Sequence, residues 1–306
     1  MRPRVVFAGT PEFAVPCLDA VLASGWDCVA VYTQPDRPAG RGRQLQSSPV
    51  KLRGLDAGIA VLQPASLKDP LAQDALAALA PDLLVVVAYG LILPRAVLGV
   101  PQYGGWNVHA SLLPRWRGAA PIQRALLAGD SETGVDLMQM EAGLDTGPVL
   151  LEQRTPILQT DTSQSLHERL SVLGAQLLGD GMARLLRGEG LNPQVQSAVG
   201  VTYAHKLDKS EALLDWREPA AVLDRKIRAF QPWPVAQADI GGEIVRIHAA
   251  EPITANGEPG SVLAVTRSRL CIACGEGALV LLRVQRAGGR VVDVADYVNA
   301  RPELKR

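Results

Sequence analysis

Aromatic side chains are scarce in this 306-residue chain, at 4%, and cysteine, histidine and methionine number only four each. Charge of one sign is also lacking: 31 basic residues meet 31 acidic ones, so no global field draws the chain to nucleic acid or membrane, and any charged surface is local. No apolar run approaches the roughly 18 residues of a membrane helix, and Val5–Ala8 is too short for a secretory core, so a cytoplasmic protein is expected. Gly-x-Gly-x-x-Gly and Gly-x4-Gly-Lys-Ser/Thr are both missing, which removes the phosphate loops of dinucleotide and nucleoside triphosphate sites. Cys271 and Cys274 have a C-x-x-C spacing, but no second pair exists and His109, His167, His205 and His248 are scattered; the pair is read as small strand residues, with no metal expected.

What is present is hydrophobic content of 47%, ample for the cores of about two domains. Val5–Ala8, Val29–Tyr32, Leu83–Ala88, Trp106–His109 and Val135–Met140 read as strands. Helical segments after Thr10-Pro11-Glu12 (to about Ala23), at Pro70–Ala80, at Pro121–Ala128 and at Ser165–Leu186 alternate with them. Thr10 is the expected N-cap of the first helix. Strands apolar on both faces and alternating with helices predict an α/β domain, a doubly wound, mostly parallel, Rossmann-like sheet. Periodicity fails from Arg187 to Tyr203. Beyond it, a helix at Leu223–Phe230 and short strands at Ile244–His248, Ser261–Val265, Arg269–Cys274 and Ala278–Val284 predict a small β-barrel of the oligonucleotide-binding kind. The expected division is residues 1–188, a linker at 189–208, and 209–306.

Open α/β sheets place their sites at the carboxyl ends of strands, where Asn107 and His109 share one strand face. Asp145 follows in the glycine-flanked stretch Gly143-Leu144-Asp145-Thr146-Gly147. An amide that donates to a developing oxyanion, an imidazole that donates or moves a proton, and a carboxylate that orients the imidazole suit acyl transfer to an amine without a nucleophilic side chain. Asp145-Thr146-Gly147 is also the aspartic-protease triplet, but that chemistry needs two such carboxylates. The near copy Asp161-Thr162-Ser163 reads as a helix cap.

Asn107-Val108-His109-Ala110-Ser111-Leu112-Leu113-Pro114 together with Gly143–Gly147 resembles the signature of the folate-dependent formyltransferases. Phe7–Pro11, Thr33–Gly42, Val86–Pro94, Val201–Leu207 and Arg228–Pro234 are similar to the branch of that family whose acceptor is the methionyl group of initiator tRNA. The resemblance implies a catalytic domain followed by a β-barrel, Asn107, His109 and Asp145 as the catalytic trio, and 10-formyl-tetrahydrofolate as donor. It places the donor against Tyr89 and Leu91 and beside Ser111, Leu112, Leu113 and Pro114. It also implies a monomer. His205 stands where the family often has an acid. The run from Arg37 to Arg53 contains five cations and no acid, which makes Arg41 and Arg43 candidate contacts to tRNA, with Lys206 and Lys209 at the linker's end. The rival expectations are another user of the same donor, a hydrolase, and a noncatalytic RNA-binding protein.

Overall fold

The computed structural model describes residues 2–39, 44–266, 268–301 and 304. Two compact units are formed: Met1–Pro121, Glu132–Pro156 and His167–Ala204 make the first, and Ile122–Ser131, Ile157–Leu166 and His205–Arg306 the second.

In chain order the first half runs β1 (Arg4–Gly9), α1 (Val15–Ala23), β2 (Asp27–Tyr32), β3 (Arg37–Ala39), β4 (Gln44–Gln46), α2 (Pro49–Asp56), β5 (Val61–Leu62), α3 (Pro70–Ala78), β6 (Leu83–Val87), α4 (Arg95–Leu98), β7 (Gly105–His109), β8 (Arg117–Gly118), α5 (Pro121–Ala128), β9 (Glu132–Gln139), β10 (Val149–Pro156), α6 (Ser163–Leu186) and β11 (Tyr203–Ala204). Seven strands form one sheet in the order β10-β9-β7-β6-β1-β2-β5. β5, β2, β1, β6 and β7 are parallel, and β9 and β10 extend the sheet antiparallel. Val5, Val6 and Phe7 of β1 and Leu83–Val87 of β6 are buried, as strands covered by helices on both faces must be. The parallel strands all end at one edge of the sheet, where the chain continues into Thr10, Ala88 and Ala110.

Thr10 does not cap a helix. Its hydroxyl donates to the Tyr89 carbonyl at 2.9 Å, and Pro11 occupies the N-cap position with no side-chain bond, followed by a 3-10 turn over Glu12–Ala14. Bonding across the strand ends competes successfully with the local cap and ties β1 to the loop after β6.

In the second unit α7 (Ala220–Ala229) packs on an antiparallel sheet of β12 (Gln237–Ile240), β13 (Glu243–Ile253), β14 (Val262–Val265), β15 (Leu270–Ala273), β16 (Ala278–Arg286) and β17 (Val291–Asp293), followed by α8 (Val294–Asn299). The strand order β12-β13-β16-β15-β14, with β17 on β16, curves as a half-barrel around Leu223, Ile227 and Phe230. Cys274 belongs to this core, whereas Cys271, three residues earlier, points to a separate cluster with Ala278 and Val280. The two thiols therefore face different apolar clusters. Burial pushes the Cys274 thiol up to about 11. Replacing both with serine is expected to leave kinetic constants unchanged and to lower the melting temperature, since two hydroxyls enter apolar clusters. Loss of turnover without loss of fold would contradict that assignment.

Candidate active site

β7 ends the parallel part of the sheet, and strand alternation puts Asn107 and His109 on one face and Val108 on the other. Val108 and its β9 partner Leu137 face α6, which approaches closely through two glycines. A Cβ at Gly174 would stand 2.7 Å from Val108 Cγ1, and one at Gly181 would stand 2.7 Å from Leu137 Cδ2. The face away from α6 is left to the site. There the register pairs Asn107 with Met138 and His109 with Asp136.

His109 is 6% exposed. Its Nε2 lies 3.0 Å from the Trp116 carbonyl oxygen, so Nε2 carries the hydrogen that this bond needs. Its Nδ1 lies 3.8 Å from Asp145 Oδ2, too long for a hydrogen bond but close enough for the carboxylate to act on the ring by charge. The same Asp145 oxygen accepts the Gly118 amide at 2.8 Å. Asp145 adopts φ +51°, a left-handed conformation that aspartate tolerates better than most residues. Two residues on, a Cβ at Gly147 would stand 1.9 Å from the Gln139 carbonyl oxygen, so only glycine lets the chain turn back against β9.

The turn from Ser111 to Pro114 follows directly from β7. Ser111 is fully buried and its hydroxyl donates to the Arg115 carbonyl at 2.7 Å. The Leu113 amide donates to Asp136 Oδ2 at 2.7 Å, while Asp136 Oδ1 has no partner. Complete burial pushes the Asp136 carboxyl up to about 8, against the smaller downward pull of the Leu113 amide. Leu112 and Pro114 are partly exposed.

Tyr89 presents its backbone, not its ring, to this edge. The side chain is 1% exposed in the core with Tyr32, while the carbonyl accepts from Thr10 and from Gln34 Nε2 at 3.0 Å. Leu91 is partly buried against the same core. A cleft of about 420 Å³ lies alongside, lined by Arg95, Leu98 and Gly99 at α4 and by Met140–Gly143 after β9.

Of the basic candidates, Arg41 and Arg43 lie outside the described residues. Lys206 and Lys209 are exposed in the second unit, as is His205. Lys51 and Arg53, from the same basic run, fall on α2 and are ion-paired, Lys51 with Asp36 at 2.6 Å and Arg53 with Asp19 at 2.6 Å.

Residues 1–180 match the formyl transferase family model, and residues 206–302 match that of the formyl transferase C-terminal domain. The methionyl-tRNA formyltransferase of Stenotrophomonas maltophilia (strain K279a) is 61% identical over 304 residues, covering 99% of each chain. That of Xylella fastidiosa (strain M23) is 60% identical over 304 residues with the same coverage. This chain belongs to the methionyl-tRNA formyltransferase family. Among solved structures, an N-formyltransferase from Helicobacter canadensis, in complex with folinic acid and dTDP-3-aminofucose, shares the fold at a TM-score of 0.66 and 18% identity. That match covers 92% of this chain and 99% of the other. HypX from Aquifex aeolicus, in complex with tetrahydrofolic acid, does so at 0.65 and 17%; this family member spans about half of HypX, 97% of its own length against 47%.

Sequence reasoning missed Asp136, the cleft beside α4, and Gln196, whose carboxamide reaches the Asp145 turn. An acid inside the apolar stretch Val135–Met140 was the available signal for the first. Gln196 carried none, being one of several polar residues in an aperiodic segment.

Proposed function

We propose that the chain transfers the formyl group of 10-formyl-tetrahydrofolate to the α-amine of methionyl-initiator tRNA in the cytoplasm. The observation that carries this reading is the His109 ring held between Asp145 and the Trp116 carbonyl, beside Asn107 at the carboxyl edge of the sheet. The methionyl amine attacks the formyl carbon, the formyl oxygen takes the developing charge, the bond to folate N10 breaks, and the proton lost by the amine leaves on N10. Asn107 and protonated His109 hold the oxyanion, which replaces the Trp116 carbonyl as acceptor for Nε2–H, and Asp145 holds the imidazolium. The cleft between α4 and Met140–Gly143 is within the size range of small-molecule sites and takes the bicyclic end of the donor, with the Ser111–Pro114 turn beside its reactive end.

In this reading residues 1–188 are catalytic, 209–306 bind tRNA and 189–208 join them. The family resemblance implies a monomer, which light scattering on the purified protein tests. Measuring formyl transfer and formate release from labelled donor, with and without methionyl-tRNA, tests the function: transfer only with charged tRNA supports it. Tight RNA binding with neither product, or formate release alone, supports a rival.

Arg41 and Arg43 fall in sequence between β3 and β4, whose pairing starts one residue after Asp36. That carboxylate, held below its usual range by Lys51, also accepts from Gln63 and Ser47. Arg41→Ala is expected to raise the KM for methionyl-tRNA and leave donor affinity unchanged. The defect should be greatest at low salt, because one lost phosphate contact lowers the salt slope by about 1. Wild-type kinetics across a salt series would remove Arg41 from acceptor binding.

A further inference from the structure

The segment that leaves the catalytic unit is stitched across both loops of the site. Gln194 exchanges backbone bonds with Val149 at 2.9 and 2.8 Å, just after the Asp145 turn. Thr202 Oγ1 accepts the Trp116 amide at 2.9 Å, its carbonyl accepts Arg117 N–H at 3.0 Å, and Tyr203–Ala204 pair with Arg117–Gly118 as β11 on β8. From Asn192 to Gly200 every residue is exposed except Gln196. Its Nε2 donates to the carbonyls of Asp145 at 2.8 Å and Gly147 at 2.7 Å, and its Oε1 accepts both Nε (3.0 Å) and Nη2 (2.7 Å) of Arg117. Two donors and both oxygen lone pairs are used. The reversed amide would set oxygen against two carbonyls and N–H against a guanidinium, so one orientation is dictated.

We propose that Gln196 is a positioning residue for formyl transfer: its carboxamide locks the Asp145 turn to Arg117, and so fixes the carboxylate against His109. The proposal rests on the assignment of Asp145 and His109 to the chemistry. Asp145 sits in a left-handed conformation that its surroundings must hold in place. Gln196 holds the carbonyls at Asp145 and Gly147, while Arg117, held on the other side of the amide, adjoins both the Trp116 carbonyl on His109 and the Gly118 amide on Asp145. Without the amide, the turn keeps its covalent path but loses the bonds that set the direction of the carboxylate. Donor binding has no part in these contacts, so the loss falls on turnover and not on affinity.

The test is steady-state transfer from 10-formyl-tetrahydrofolate to methionyl-tRNA by the full chain, with thermal unfolding recorded for every variant. Gln196→Met removes both sides of the bridge at nearly constant volume, and Gln196→Glu keeps a partner for Arg117 but removes both donors. Each should lower kcat about 10- to 100-fold with KM for the donor changed less than about twofold. Val195→Ala, at an 89% exposed neighbour, should match wild type. Asp145→Asn combined with Gln196→Met should be no slower than Asp145→Asn alone, since placing a carboxylate no longer matters once it is gone. Unimpaired Gln196→Met and Gln196→Glu beside an impaired Asp145→Asn, or a fully multiplicative loss in the double variant, overturns the proposal. Wild-type turnover in Asp145→Asn overturns the catalytic assignment beneath it.

Discussion

Replacing His109 with alanine is expected to lower kcat for formyl transfer about 1000-fold while shifting KM for either substrate less than about threefold. The ring is buried and already bonded through Nε2, so its removal takes away a donor that strengthens only as charge develops on the formyl oxygen. Asn107→Ala removes a neutral donor from the same face and should cost about 100-fold. Asp145→Asn retains an oxygen that can accept the Gly118 amide, so the turn should stay closed, yet the charge facing Nδ1 is lost and turnover should fall by a similar factor. Steady-state kinetics with both substrates varied, beside single-turnover measurements, separate these effects from binding. A variant within a few-fold of wild type has no part in the chemistry.

The elements that the sequence makes legible are those whose pattern comes from burial alone. β6 reads as a strand because both faces are covered, and α5 begins and ends at Pro121 and Ala128, where the sequence pattern puts it. β10 escaped because Glu152 and Arg154 interrupt it, and its pairing is supplied by β9, a tertiary partner that no local pattern announces. The resemblance sets the donor against Tyr89; the apolar area of that ring lies in the core beside Tyr32, so what Tyr89 itself offers at the edge is its backbone. Lys51 and Arg53 read as part of a free basic run. In the fold they cross to Asp36 and Asp19, acids 15 and 34 positions away. Charge runs are thus a poor guide to free charge, because pairing partners come from elsewhere in the chain.

Asp136→Asn is expected to stabilise the protein above neutral pH, and the sign follows from where the proton sits. In the fold the Asp136 carboxyl is pushed up to about 8 from 3.8 by burial. Between those values the unfolded chain gives up a proton that the native chain keeps, so stability falls as pH rises from about 4 to about 8 and levels off above. At pH 7 this amounts to roughly 4 kcal/mol of lost stability, from about three units of displacement. Asparagine cannot ionise, and its amide oxygen can still accept the Leu113 amide, so the variant escapes this loss at the cost of an N–H where Oδ1 now lacks a partner. Glu152 and Arg154 act on the carboxyl in opposite directions, and His109 is its cross-strand neighbour. Unfolding followed from pH 5 to pH 9 should show the two proteins nearly equal at pH 5 and the variant more stable by about 2–4 kcal/mol at pH 8. Parallel curves would mean that Asp136 is ionised in the fold. The same charge bears on catalysis, because the Leu113 amide that Asp136 holds lies in the Ser111–Pro114 turn. Above about pH 8 the wild-type carboxyl ionises beneath that turn, so transfer should fall in the wild type before it falls in Asp136→Asn.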